Sequence, residues 1–229
     1  RERFIEIISY FQVDNPLVSI IDPVFIGFHE QGGADISSKG LMKAYPSEKI
    51  GVFVRFDDGT IGVVEYSDLP EHLQNLRDTD GRLRFCMGSI AIHLFSVDFL
   101  EKITGGSALS LPFHIARKKI MSHTASGPAE IEGFKFEKFV FDALPLTEKN
   151  IVLEIIREDE FAPVKNPSGV DSVESARELM TALFRRWLDG RGIPIPPRVK
   201  RLEISPLLAL EAADVPPSIK VPDTENVYL

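Results

Sequence analysis

The chain has 229 residues, 44% of them hydrophobic and 26% charged, and its 26 basic and 34 acidic side chains give a net charge of −8 at pH 7. This acidic balance argues against a protein that binds the phosphate backbone of nucleic acids. No apolar run reaches the roughly 18 residues of a membrane span, and the single cysteine, Cys86, excludes an intrachain disulfide framework. We therefore expect a cytoplasmic protein without nucleic-acid or membrane partners. Because the chain starts at Arg1 rather than Met, we also expect an upstream part.

Strand and helix signals alternate along the first two thirds of the chain. The predicted elements are, in order, a strand over 5–13, a helix over 24–29, strands over 51–56 and 60–66, a polar helix after Pro70, a strand over 90–95, a helix over 97–103 that stops at Gly105-Gly106, and a strand over 150–156. The continuous apolar character of the first segment indicates a strand covered on both faces. Asp57-Asp58-Gly59 predicts a hairpin turn. Together these signals predict an α/β fold with a mixed, mostly parallel sheet and one antiparallel hairpin.

The C-terminal part of the chain has a different composition. A helix is predicted from Val173 to Gly190, capped by Asp171 and carrying an aromatic stripe that belongs to the core. Seven of the 16 prolines follow residue 192, which favours a small domain with short β elements. We therefore expect the domain boundary after residue 166, with residues 167–229 forming the connecting helix and the small domain.

The common signatures of phosphate loops and hydrolases are missing from the sequence. It contains no G-x-x-x-x-G-K-[ST], no G-x-G-x-x-G after a strand, no H-E-x-x-H and no G-x-S-x-G. One cysteine excludes cysteine-rich zinc sites, and the five histidines lack the spacing of metal ligands. Candidate chemistry is therefore left to isolated charged residues.

Four charged residues have positions that suggest a role. Asp14 follows a predicted strand, where a carboxylate can hold Mg²⁺, but it can equally form a turn before Pro16. Glu65 ends a hairpin strand and could bind sugar hydroxyls or simply face solvent. Lys135 and Lys165 lie among aromatic residues, as phosphate-binding lysines do and as ordinary surface lysines also do.

Several segments resemble one protein family. They are V-D-N-P-L-V at 13–18 with D-P-V-F-I-G-F at 22–28, V-V-E-Y-S-D at 63–68, F-H-I-A-R-K-K-I at 113–120, K-F-E-K-F-V-F-D at 135–142, R-E-D-E-F-A-P-V-K-N at 157–166 and E-I-S-P-L at 203–207. In this order they resemble UDP-sugar pyrophosphorylases (uridylyltransferases), most closely the eukaryotic-type UDP-N-acetylglucosamine pyrophosphorylases.

The resemblance implies a nucleotidyltransferase-type, Rossmann-like fold and a Mg²⁺-dependent reaction of UTP with a hexose 1-phosphate. The roles it implies are Mg²⁺ placement for Asp14, triphosphate contact for Lys135, contact with the sugar-linked phosphate for Lys165, and sugar binding for Gly51, Glu65, Tyr66, Ser89, Phe139 and Phe141. The transfer would depend on positioning and charge neutralisation rather than on covalent catalysis.

Two departures from the family pattern leave alternatives open. Ser89 and Ile92 stand where the family has asparagines, so the sugar is expected to be N-acetylglucosamine, glucose or another hexose. The family's glycine-rich UTP loop lies upstream of these residues, so the chain alone is expected to be inactive. The alternative is a non-catalytic relative that binds a nucleotide-sugar or a partner protein.

Overall fold

The structure is a computed structural model that describes residues 3–105, 111–124 and 127–229. It consists of two compact units, the first formed by residues up to Tyr10 together with Asp22–Glu154, the second by Phe11–Ile21 and Ile155–Leu229. Among the described residues, no helix combines the length and apolar character needed to cross a membrane. The boundary expected after residue 166 stays a prediction about the domains of the whole protein.

The predicted helices and strands occur in the predicted order, and the structure adds a central strand over Ile36–Met42 that was not predicted from the sequence. The strands are β1 Ile7–Tyr10, β2 Ile36–Met42, β3 Val52–Arg55, β4 Ile61–Val64, β5 Met87–Ser96, β6 His114–Thr124, β7 Gly127–Glu137, β8 Asn150–Glu154, β9 Arg201–Glu203 and β10 Asn226–Tyr228. The helices are α1 Pro23–Gln31, α2 Glu71–Gln74, α3 Val97–Thr104, α4 Arg157–Glu160 and α5 Val173–Gly190, with 3-10 segments at Val140–Leu146 and Ala212–Asp214. Gly105 caps α3, and Gly106 lies outside the described residues.

A six-stranded sheet forms the centre of the first unit. Its strand order is β4-β3-β5-β2-β8, and β1 also pairs with β5. The mixed sheet and its hairpin are confirmed, but the expectation of mostly parallel strands is wrong: among the described strands of this sheet, only β2 and β8 pair in parallel. β1 and β2 run in the same direction, but β5 lies between them and runs opposite to both. They are therefore not neighbours and form no parallel pair.

The first strand is also less buried than its composition suggests. Only four residues pair with β5, and Ile5 and Ile8 are 49% and 44% exposed. The prediction of a strand covered on both faces is therefore wrong. The apolar run reflects the β propensity of its residues. A strand that is buried on both faces would show the same run, so the sequence alone does not distinguish the two cases.

Helix α1 is anchored by a charge inside the unit. As predicted, Asp22 caps it, and its Oδ1 accepts hydrogen bonds from the amides of Val24 (2.9 Å) and Phe25 (3.1 Å). The other oxygen, Oδ2, binds Nζ of the fully buried Lys39 at 2.6 Å. Burial acts to raise the pKa of Asp22, but the hydrogen bond and charge of Lys39 and the two amides outweigh it, so this pKa lies below its ordinary value.

Two hairpins belong to the first unit. The β3–β4 hairpin turns at Gly59, whose φ of +87° explains the requirement for glycine. The second, β6–β7, was not predicted from the sequence. Its strands pair over eleven positions, from His114 with Glu137 to Thr124 with Gly127. Charged residues on both faces hide the period of two by which a half-buried strand is recognised.

The second unit is built around α5. Its N-cap is Ser172, whose side chain exchanges hydrogen bonds with Ser175; the prediction of Asp171 as the cap is wrong, because Asp171 has a φ of +55° and precedes the cap. Phe184 and Trp187 contact edge to face at 5.3 Å and belong to the core, as expected. The parallel pair β9–β10 packs against this helix through Leu202 and Val227.

Candidate functional site

Three predicted sugar-binding residues converge at the ends of β3, β4 and β5. Gly51 precedes β3, Glu65 follows β4, and Ser89 lies near the start of β5. The Ser89 amide donates a hydrogen bond to the Gly51 carbonyl (2.8 Å). A Cβ on Gly51 would lie 2.8 Å from Cγ1 of Val63 and 3.2 Å from Oε1 of Glu65, so a larger residue would displace the carboxylate. The structure therefore brings these three residues together, as the resemblance implies.

Tyr66 follows Glu65 on a short turn. The Glu65 carbonyl accepts hydrogen bonds from the amides of Asp68 (3.0 Å) and Leu69 (3.1 Å), which fixes the chain beyond the strand. The Tyr66 side chain is 41% exposed. A half-buried carboxylate beside an accessible aromatic ring suits a sugar, which offers hydroxyl groups and an apolar face.

We call Phe139 and Phe141 the aromatic wall, after the role that the resemblance implies for them. Their rings stack with centroids 4.8 Å apart and planes 16° apart. Phe141 is buried, whereas Phe139 is only partly buried. Val63, which contacts the Gly51 position, packs against the same core cluster as these two rings. The aromatic wall and the three converging residues thus share one packing neighbourhood of the first unit.

Lys135 lies on β7, in the long hairpin. It is exposed, and its Nζ binds Oε1 of Glu137 at 2.5 Å. This hydrogen bond and the charge of Lys135 hold the pKa of Glu137 below its ordinary value, so the carboxylate stays ionised at neutral pH. A phosphate that binds Lys135 would have to compete with this partner.

In the second unit, Asp14 and Lys165 lie on adjacent stretches of chain. The amide of Val164 donates to the carbonyl of Asp14 (2.8 Å), which joins the segment around residue 14 to the segment that ends in Lys165. Nζ of Lys165 lies 5.8 Å from the centre of the Phe161 ring, and its side chain is exposed. These two predicted phosphate-side residues therefore come together within one unit.

Asn15 is the residue that holds these two segments together. It is 5% exposed; its Nδ2 donates to the Glu160 carbonyl (2.7 Å), and its Oδ1 accepts from the amides of Ala162 (3.0 Å) and Leu17 (3.3 Å). We call these four residues, with Asn15 at the centre, the Asn15 clasp. The Asn15 clasp was not predicted from the sequence. An amide side chain next to a candidate metal ligand is nevertheless a usable signal, because it can both donate to and accept from backbone groups.

The donor set at Asp14 is compatible with Mg²⁺. Within the described ranges, no group of three or more His, Cys, Asp or Glu residues could enclose a metal ion. Magnesium does not need such a group, because it keeps several waters and is commonly held by one or two carboxylates together with substrate phosphates. The partly buried Asp14 can serve as such a carboxylate.

Beside the aromatic wall lie His114 and Asp142, which the sequence did not single out as a pair. His114 Nε2 lies 2.9 Å from Asp142 Oδ2, beside the Phe139 ring. Both residues fall inside segments that resemble the family, but from sequence alone nothing distinguishes a histidine with a carboxylate partner from a solvated one. Only the hairpin register and the 3-10 segment bring them together.

No family model matches the chain, but individual proteins do. It is 38% identical over 213 residues to UDP-N-acetylglucosamine diphosphorylase 2 of Arabidopsis thaliana, covering 90% of this chain and 42% of that protein. It is also 38% identical over 208 residues to human UDP-N-acetylhexosamine pyrophosphorylase-like protein 1, covering 85% of this chain and 41% of that protein. The chain thus spans less than half the length of these curated relatives.

Solved structures agree with the described fold. A putative UDP-N-acetylglucosamine pyrophosphorylase from Entamoeba histolytica superposes with a TM-score of 0.83 at 29% identity, covering all of this chain and 56% of that one. The UDP-N-acetylglucosamine pyrophosphorylase of Trypanosoma brucei gives a TM-score of 0.78 at 28% identity, covering 93% of this chain and 45% of that one. These comparisons confirm the resemblance that the sequence motifs indicate.

Proposed function

Because this chain is homologous over most of its length to UDP-N-acetylglucosamine pyrophosphorylases, we propose that it is part of a UTP:sugar-1-phosphate uridylyltransferase. A phosphate oxygen of the sugar 1-phosphate attacks the α-phosphorus of UTP, and the bond from that phosphorus to the oxygen that bridges to the β-phosphate breaks. The products are a UDP-sugar and pyrophosphate. The reaction has little covalent chemistry for the protein to perform, so positioning and charge neutralisation dominate.

Each unit carries some of the residues to which the resemblance assigns a role. In the first, Glu65 accepts hydrogen bonds from sugar hydroxyls, and Gly51 leaves room for the Glu65 carboxylate beside the sugar. Tyr66, Phe139 and Phe141 contact the apolar face of the sugar, and Lys135 binds the triphosphate. In the second, Lys165 neutralises the sugar-linked phosphate, and Asp14 is the carboxylate that would hold Mg²⁺. When bound, Mg²⁺ supplies positive charge that offsets the negative charge of the phosphates.

One observation carries this proposal beyond homology. The hydrogen bond from the Val164 amide to the Asp14 carbonyl, supported by the Asn15 clasp, joins two segments almost 150 residues apart in sequence. This bond places the main chain at Asp14 beside the residue that precedes Lys165. Phosphoryl transfer depends on positioning and on neutralising the charge of the phosphates, so a carboxylate and an ammonium carried by neighbouring stretches of chain support the proposal.

The test uses the complete translation product of the gene that encodes this chain. With UTP, Mg²⁺ and a panel of hexose 1-phosphates, pyrophosphate should be released, and Lys165→Ala should lower kcat/KM by at least about tenfold, because a charge-assisted contact of about 1.5–3 kcal/mol is lost. Lys200→Ala is the matched control, since Lys200 is an exposed lysine of the same unit whose partner is Glu225. Release that is unaffected by Lys165→Ala would refute the assigned role.

The absence of pyrophosphate release with every sugar phosphate would refute the enzyme proposal. In that case, binding of a UDP-sugar measured by calorimetry would support the non-catalytic alternative, in which the protein holds a nucleotide-sugar without converting it. Pyrophosphate release and calorimetric binding, measured on the same protein, therefore distinguish the two functions.

The sugar we propose is an N-acetylhexosamine, as the names of the relatives suggest for those proteins. Glucose 1-phosphate is a second candidate, favoured by residues 89 and 92. The Ser89 side chain offers one hydroxyl, and Ile92 is an apolar residue with 3% exposure, so it supplies no polar contact.

Ser89→Asn separates the two sugars. An amide can both donate to and accept from an N-acetyl group, so this variant should raise the ratio of kcat/KM for N-acetylglucosamine 1-phosphate over glucose 1-phosphate by roughly tenfold, the equivalent of about one hydrogen bond. An unchanged ratio would mean that residue 89 does not contact the substituent on C2 of the sugar.

A further inference from the structure

We propose that His114 and Asp142 are positioning residues that hold the aromatic wall and the Lys135 strand in one arrangement, so that sugar and phosphates bind together. This inference rests on the proposed function and deepens it. Neither residue is assigned a substrate contact; they act through Phe139 and through the base of the long hairpin.

The first observation is the hydrogen bond itself. Nε2 of His114, the first residue of β6, lies 2.9 Å from Oδ2 of Asp142, in the 3-10 segment that follows β7. The two side chains are 30% and 12% exposed. A polar contact sheltered to this degree is stronger than the surface ion pairs farther along the hairpin, where Lys119 and Glu130 are 81% and 55% exposed.

The second observation is the order of the rings. The imidazole of His114 lies 4.7 Å from the Phe139 ring and 6.2 Å from the Phe141 ring, and the two phenylalanines stack on each other. Phe141 is 8% exposed and packs in the core. Phe139 therefore has the anchored Phe141 on one side and contacts His114 as well. With the imidazole held by Asp142, the Phe139 ring has little freedom to rotate away from a sugar.

The third observation is the register of the hairpin. His114 pairs with Glu137 and Ala116 pairs with Lys135, so His114, Glu137 and Lys135 lie on one face of the two-stranded sheet. Glu137 in turn binds the Lys135 ammonium at 2.5 Å. A displacement of His114 would therefore move the strand pair that carries Lys135 at the same time as it frees Phe139.

The test compares His114→Phe, Asp142→Leu and the double variant in the complete translation product. His114→Phe keeps a ring against Phe139 but loses the hydrogen bond, and Asp142→Leu keeps a side chain of similar shape that cannot accept a hydrogen bond. Each should raise KM for the sugar 1-phosphate and lower kcat/KM by roughly tenfold, and the double variant should lose no more than the single ones because all three break the same contact. His123→Phe, at the exposed far end of β6, is the matched control and should stay within about twofold of wild type.

A thermal melt distinguishes positioning from folding. The single variants should melt within a few degrees of wild type, whereas a purely structural role would lower the melting midpoint without selectively raising KM for the sugar phosphate. The inference is overturned if wild type is active and both single variants match it, or if the losses in the double variant multiply. A wild-type protein without activity would instead refute the proposed function, and the positioning role with it.

Discussion

The six-stranded sheet and the long hairpin of the first unit contain the same kinds of charged and titratable residues in opposite environments. In the sheet, Lys39 is fully buried and His93 is 1% exposed, and each has a polar partner, Asp22 for the lysine and Ser38 for the histidine. In the hairpin, Lys119 and His123 are exposed. A buried charge without a partner costs several kcal/mol, whereas a solvated charge costs little. Substitution of a lysine or histidine should therefore lower the free energy of unfolding in the sheet and hardly change it in the hairpin.

Exposure also leaves hairpin side chains accessible to a ligand. Lys135 and Glu137 form a pair at the surface, and its opening costs little because water solvates both groups. The pair of Lys39 and Asp22 has no such freedom, since Lys39 is fully buried and Asp22 also caps α1. We infer that the sheet charges stabilise the fold and that the hairpin charges are available for binding.

The sharpest test of this contrast is Lys39→Ala. It removes the partner of a carboxylate inside the unit, so we expect it to lower the free energy of unfolding by about 3–5 kcal/mol. Urea denaturation followed by circular dichroism measures this change. Asp22→Ala should cost a similar amount, because it removes the carboxylate that binds the buried Lys39 ammonium and also removes the helix cap. A loss below 1 kcal/mol for Lys39→Ala would contradict the inference that the sheet charges stabilise the fold.

Acidification is the next largest test. Burial lowers the pKa of His93 to about 4, from an ordinary value of 6.5, so the unfolded chain binds a proton in a pH range where the folded protein does not. Stability is therefore complete above pH 6.5 and falls as the pH drops toward 4, by up to about 3 kcal/mol. Burial also lowers the pKa of His29, whose ring is hydrogen-bonded to Ser37, the residue before the partner of His93. Protonation of His29 therefore adds to the loss of stability at low pH.

The variant His93→Gln isolates this effect. It cannot titrate, so the difference in stability between pH 7 and pH 4.5 should shrink even if the variant is less stable at both. His123→Gln, on the exposed hairpin, should leave the difference as it is in wild type. An identical pH dependence in His93→Gln and wild type would show that other groups cause the acid sensitivity.

Asn15 extends the comparison to a buried group without charge. Asn15→Ala removes the acceptor of two backbone amides and the donor to the Glu160 carbonyl, so we expect a loss of roughly 2 kcal/mol and a lower kcat/KM, since Asp14 and Lys165 would lose their common support. Stability is measured by urea denaturation and activity by pyrophosphate release. Asn75→Ala, in an exposed side-chain contact with Glu71, serves as the control.

The smallest effect is expected for the hairpin surface. Lys119→Ala breaks the 3.2 Å pair with Glu130, but both side chains are more than half exposed. The free energy of unfolding should change by less than about 0.5 kcal/mol, within the range of ordinary surface pairs. A loss comparable to that of Lys39→Ala would mean that the hairpin is covered in the complete protein.

Local signals in the sequence predicted much of this architecture. Asp22-Pro23 predicted α1, Asp57-Asp58-Gly59 predicted the β3–β4 turn, and the apolar spacing after residue 172 predicted α5, because capping, turn chemistry and helical periodicity act within a few residues. The insertion of β5 between β1 and β2 could not be predicted in this way. Strand neighbours depend on contacts far apart in the chain, and either order leaves the local pattern unchanged.

The candidate site also combines features that the sequence suggests with features that only long-range contacts produce. Pattern alone left Asp14, Glu65, Lys135 and Lys165 with two interpretations each, and the family resemblance suggested roles for them. Three features depend on tertiary structure, so no spacing in the sequence encodes them: the closeness of the Glu65 carboxylate to the position that a Cβ on Gly51 would take, the Asn15 clasp, and the pair of His114 and Asp142. The assigned roles of the individual residues stay predictions.

The central claim is that this chain belongs to an enzyme that joins or separates a uridylyl group and a sugar phosphate. The most direct measurement follows the reverse reaction by phosphorus NMR, with the complete translation product, UDP-N-acetylglucosamine, pyrophosphate and Mg²⁺. We predict resonances of UTP and of N-acetylglucosamine 1-phosphate that grow in equal amounts with wild type and at least about tenfold more slowly with Lys165→Ala. A spectrum that stays unchanged with this UDP-sugar and with UDP-glucose would contradict the account.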